Sequence, residues 1–143
     1  MSESRSPVQL LEQRRAAFAL NWLNRALEKN DVDNGELKAR TRHFSGMVRI
    51  NGFGQTLAFY LAKSEKSAAY RQVYELVQGW LCTEFEASPY YGTDDSTHPL
   101  MNAITGGDMH AYRAAEAETR ALMAWARKFA EALIGGKEQD NDQ

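Results

Sequence analysis

The chain has 143 residues and a formal net charge of −2 at pH 7, with a sequence pI of about 5.9. That length suits one domain, burying roughly 68 to 70% of the surface its unfolded chain exposes, and the acidic balance departs from the pI above about 9 of a free-standing nucleic-acid binder. One cysteine, Cys82, and three scattered histidines, His43, His98 and His110, exclude a disulfide framework and give no zinc-ligand spacing, so neither metal nor cofactor is expected and a reducing cytoplasm fits best.

Apolar residues recur at helical spacing and only Pro7, Pro89 and Pro99 interrupt them, so the expected fold is all-α, a compact single-domain bundle of about six helices spanning 7–134. Residues 1–6 and 135–143 are expected to be disordered ends. Met1 to Pro7 carry no apolar leader, and no run approaches the ~18 apolar residues of a membrane span.

The first helix opens after Ser6, a capping residue followed by Pro7 at the first helical position. Its inner face is Leu11, Phe18, Ala19, Trp22, Leu23 and Leu27, with Gln13, Arg14, Asn21, Asn24, Arg25 and Glu28 opposite. Arg15 falls within the apolar face. The expected solution is a stem lying on apolar surface with its head in water, the alternative being a buried ion pair or a partner contact.

After the polar break Asn30 to Gly35, a second helix is expected from Glu36 to Ile50, with Leu37, Phe44, Met47 and Val48 inward, stopping at Asn51-Gly52. A third runs from Phe53 or Gly54 to Ala62. Ser67 caps a fourth from Ala68 to Phe85, in which Gly79 is either a cost of ~1 kcal/mol or the mark of a close helix crossing.

Glu86 to Pro99, rich in Ser, Thr, Gly, Pro and Asp, reads as one long loop, a functional insertion or a mobile connector. A short helix at Leu100–Ile104 ends at Gly106-Gly107. Asp108 then caps a last helix to Ile134, whose spine is Tyr112, Ala115, Thr119, Leu122, Ala126, Phe129 and Leu133.

Charge is segregated along the chain: Leu37 to Ser64 contains no Asp or Glu but carries Lys38, Arg40, Arg42, Arg49 and Lys63. On the second helix Lys38, Arg42 and Arg49 form one stripe, either a solvated face or a row that tracks phosphates by sequence-independent, salt-sensitive attraction. The last helix has a second row, Arg113, Arg120 and Arg127. There Glu116 and Glu131, each four residues from an arginine, offer on-helix pairing, so the choice is a self-paired solvated face or a subunit interface.

Other chemistry is poorly supplied. Asn51-Gly52-Phe53-Gly54 lacks the third glycine of a dinucleotide loop, since Leu57 stands there, and it lacks the Lys-Ser/Thr pair of a P-loop. What remains is a tight junction whose third-helix N–H groups could meet an anion. Asp94-Asp95, Glu84 and Glu86 read as solvent-facing, and Cys82 as an inert core thiol. No catalytic set is expected, and an enzyme is not.

Gln13-Arg14-Arg15-Ala16, then Met47 to Phe59 (MVRINGFGQTLAF), then Tyr112 to Ala130 (YRAAEAETRALMAWARKFA), together resemble the small subunit of Cmr complexes, the fifth Cmr protein of type III-B CRISPR systems. The resemblance covers roughly Gln13 to Ala132. It implies a non-catalytic antiviral-defence protein of the cytoplasm that stacks with copies of itself beside the other Cmr complex subunits, along a channel holding CRISPR guide RNA and target RNA. Under it Lys38, Arg42, Arg49 and Lys63 are the candidate phosphate contacts, and Asn51 and Gln55 candidate polar contacts. Arg14 and Arg113 are candidates for RNA or for a neighbouring subunit. A helical protein–protein adaptor or regulator without RNA remains the alternative.

Overall fold

The computed structural model describes residues 6–93 and 97–135. Among them the regular elements are all helical: α1 (Pro7–Leu27), α2 (Asn34–Asn51), α3 (Phe53–Lys63), α4 (Ala68–Gln78) continued by a π-helical segment (Gly79–Glu84), α5 (Pro99–Gly106) and α6 (Met109–Leu133). Six α-helices in an all-α fold agree with the apolar spacing. The stretches expected to be disordered lie outside the described residues except for their inner ends, Ser6 and Gly135.

Helix starts follow local chemistry. Ser6 accepts from the Gln9 N–H while the Gln9 side chain accepts from the Ser6 N–H, a reciprocal capping box. Asp33, Ser67 and Asp108 each accept an N–H from the first turn of α2, α4 and α6. The Asp33 cap starts α2 two residues earlier than Glu36.

α6 packs between α1 and α2, while α2 also contacts α3 and α4. The surface α6 buries is Ala115, Thr119, Leu122, Met123, Ala126 and Ala130, in which the alanines let its neighbours approach closely and Leu122 and Met123 fill the core between them. Leu133, placed in the spine by spacing, is 49% exposed, and Ile134 is buried instead. The helix stops at Leu133 and the extended backbone at Ile134 turns that side chain inward.

The expected fourth helix widens into a π-helix at Gly79, and the Phe85 N–H bonds the Trp80 carbonyl at 2.9 Å, an i→i+5 closure. The Trp80 ring stacks on Phe85 with centroids 5.1 Å apart and meets Phe18 at 5.1 Å. A Cβ on Gly79 would lie 3.5 Å from Phe18, an ordinary contact distance, so α1 packs beside this position without requiring a glycine there. Cys82, in the same segment, is buried and its thiol is pushed up to about 11 by desolvation.

Arg15 takes the alternative that its position left open. Its guanidinium makes a two-point pair with Glu118, both contacts 2.8 Å, and a third contact to Glu12 at 2.6 Å. The Trp80 indole N–H donates to Glu118 and that of Trp125 to Glu12, each at 2.8 Å. α6 brings a carboxylate opposite Arg15, so the head turns inward rather than out to water.

The segment after the π-helix is strapped down where it is described. Ser88 and Tyr90 are buried, and the Gly92 N–H, with Gly92 at φ +86°, donates to the Cys82 carbonyl at 2.8 Å. Asp94 and Asp95, read as solvent-facing, lie outside the described residues.

Candidate functional site

The two cation rows belong to helices that run antiparallel. Lys38, near the start of α2, reaches the carbonyls of Ile134 and Gly135 at the end of α6. Arg49, near the end of α2, shares a recess with Glu116 and Arg120 in the first half of α6. Between these points lies an open groove whose widest part, about 660 Å³, is lined by Arg42, His43, Arg49, Asn51 and Arg127 among others.

The groove continues past Ser45, which lines every section of it, to Arg120, Lys128 and Glu131. Ser45 and Gly46 are the small residues on α2 that leave the space open. Five cations, Arg42, Arg49, Arg120, Arg127 and Lys128, face two carboxylates, Glu116 and Glu131. Those acids pair on-helix with Arg120 at 3.2 Å and Arg127 at 3.3 Å, exposed pairs worth only about 0.3 to 0.5 kcal/mol. An anion can therefore draw both arginines at small cost, and the widest section contains no carboxylate.

His43 registers this field. Burial, then the charges of Arg40, Arg42 and Arg127, hold its imidazolium below the usual range. Burial opposes charge of either sign, but the part that comes from the three arginines is a positive field that attracts an anion.

Of the residues singled out from sequence, Arg42 and Arg49 line the groove and Asn51 stands at its edge. Lys38 does not belong to that surface: it is 3% exposed, with its ammonium against the Gly135 carbonyl at 3.4 Å and the Ile134 carbonyl at 3.5 Å. It closes the C-terminus of α6, where free carbonyls favour a cation. The long stem buries, and the stripe loses its first member.

Gln55 is exposed but lies outside the groove, and Lys63 sits at the far end of α3 with its ammonium 5.5 Å from the centroid of Phe59. Arg14 is engaged within the chain: it pairs with Glu86 at 2.9 Å and lies over the Trp80 and Phe85 rings. Arg113 is exposed and makes no ion pair among the described residues.

The glycine turn is a junction rather than an anion cradle. Gly52 adopts φ +95°, and the Gly54 N–H is taken by the Tyr112 hydroxyl at 2.9 Å. A Cβ at Gly54 would stand 3.5 Å from that hydroxyl and 3.6 Å from Ile104. Those are ordinary contact distances, so the packing of α3 on α6 and α5 does not itself require a glycine, while the Gly54 N–H, one of the donors that the turn offered an anion, is occupied.

Sequence spacing missed His43 and Lys128 as groove residues and kept Arg120 and Arg127 apart from Arg42 and Arg49. The available signal was the shared seven-residue interval on α2 and α6, which places cations at matching heights once the two helices pair.

The family model described as CRISPR-associated protein (Cas_Cmr5) matches residues 11–133.

Proposed function

The chain belongs to the Cas_Cmr5 family, the small subunit of the type III-B CRISPR Cmr complex, and from that membership we propose a non-catalytic subunit that contacts guide or target RNA along the α2–α6 groove. The observation that carries this reading is the convergence of two cation rows, from separate helices, on one open groove with an excess of three positive charges. Such a surface binds phosphates without reading bases.

The overall acidity of the chain confines this attraction to one face and leaves other surface for protein neighbours. Among those neighbours we include further copies of the same chain, stacked head to tail by heterologous contacts. Val8, 71% exposed, and Met109, 58% exposed, are apolar side chains suited to such contacts. No described helix is long and apolar enough to cross a membrane, and we place the assembly in the cytoplasm with its RNA.

The deciding experiment purifies the native assembly and sequences its RNA. Nuclease-sensitive RNA of uniform guide-like length, crosslinking to peptides from α2 and α6, is the expected result. Partner proteins without RNA, or crosslinks confined to other helices, would favour a protein adaptor instead.

A further inference from the structure

The groove contains one group whose charge can change near neutral pH. His43 lines its widest section beside Arg42, Arg49 and Arg127, and the imidazole is solvent-accessible. The charges acting on it come from Arg40 and Arg42 on its own helix and from Arg127 on α6. Further along α6, Lys128 adds another cation, and the Glu131 carboxylate is engaged by Arg127 at 3.3 Å. α3 and α4 also pack on α2, and no charge of theirs is among those acting on the ring.

We propose that His43 is a proton-linked contact of the groove, uncharged in the free protein and protonated when a polyanionic strand occupies it, so that RNA affinity rises as pH falls. The proposal rests on the groove being the RNA contact. Burial opposes the imidazolium first and the arginine charges second; a phosphate seated between Arg42 and Arg127 offsets those charges and adds an acceptor for the ring N–H groups. Both changes favour the charged ring.

The sign follows from linkage. A proton is taken up on binding wherever the free imidazole is neutral and the bound one charged, so affinity rises as pH falls through the bound-state value. It levels off below the depressed free-state value, and each unit of separation between the two is worth about tenfold in affinity. His98 and His110 do not line the groove and serve as controls.

The test uses the full-length protein and a fluorescein-labelled single-stranded uridine oligomer, with anisotropy read at constant ionic strength from about pH 5.5 to about pH 8.5. Proton NMR of the three histidine rings is recorded with and without the RNA. The expected result is a His43 titration below 6.5 in the free protein that moves upward in the complex, with an affinity gain of about threefold to tenfold toward low pH. His43→Gln should lose that gain, while His98→Gln and His110→Gln keep it.

A His43 titration unmoved by RNA, with binding still abolished by Arg42→Glu/Arg127→Glu, overturns the proton linkage and leaves the groove in place. RNA binding that is absent, or indifferent to that double reversal, overturns the groove and the linkage together. The NMR readout is made on the wild-type chain, so it decides the question whatever the fate of the variants.

Discussion

Arg15 of α1 and Glu118 of α6 face each other in a two-point ion pair, Nε to Oε2 and Nη2 to Oε1, both at 2.8 Å, with side chains only 13% and 11% exposed. The pair is tied into the aromatic layer because Trp80 donates to the same carboxylate. Removing one partner leaves a desolvated charge alone, at a cost of about 3 to 5 kcal/mol. Arg15→Ala and Glu118→Ala should each lower the unfolding midpoint in urea by this mechanism. The double variant should cost clearly less than their sum, and strict additivity would show that the pair is not coupled.

Lys38→Ala should destabilise the chain by about 1 to 2 kcal/mol, because the stem no longer packs and the helix C-terminus no longer meets a cation. Hydrogen exchange should quicken first in the last turn of α6. The salt dependence of RNA binding should keep its slope, because no groove cation is removed. A shallower slope would return Lys38 to the phosphate-contacting set.

Arg42→Glu with Arg127→Glu should flatten the plot of log affinity against log salt by about 1.4, because each single-strand phosphate that a cation neutralises adds about 0.7 to the slope. Circular dichroism should be unchanged, since Arg127 is half exposed and its ion pair to Glu131 is a surface one. Lys63→Glu, at the far end of α3, should leave the slope as it was. An equal effect from both changes would mean that binding follows overall charge rather than the groove.

The Cys82 thiol, buried and pushed up to about 11, should react negligibly with iodoacetamide near pH 8 in the native protein and readily after unfolding. The labelling rate then reports opening of the π-helical segment. Fast native labelling would mean that the segment is not held as described.

Helix positions were legible in the sequence wherever one residue decides them. Ser6, Ser67 and Asp108 have short polar side chains able to take an orphan N–H, and each does so; Asp33 does the same for α2 but was hidden in a polar break with several residues of the same kind. The widening at Gly79 was not legible, because a segment of 6 residues is little more than one turn, too short for a change of period to register among its apolar residues. Arg15 was ambiguous for a related reason. Whether its head turns inward depends on a carboxylate 103 positions away in sequence.

Half of the groove was visible as a stripe on α2, and Arg42 and Arg49 occupy it. Lys38 shares their helical spacing but not their surroundings, since the end of α6 lies over it. Pairing of α2 with α6 is a long-range event. Single-helix periodicity therefore described the cation rows and could not say that they meet.

The contact between Lys38 and the end of α6 also sets how the groove is tuned. Its ammonium ties the start of α2 to the carbonyls of Ile134 and Gly135 just past α6, so it helps set the phase between the two rows of arginines. A slip of one residue would slide one row past the other by about 1.5 Å and change the spacing of the cations across the groove without altering any charge. A lysine that touches no ligand would then govern how well five cations act together, like the peg that holds two combs in step.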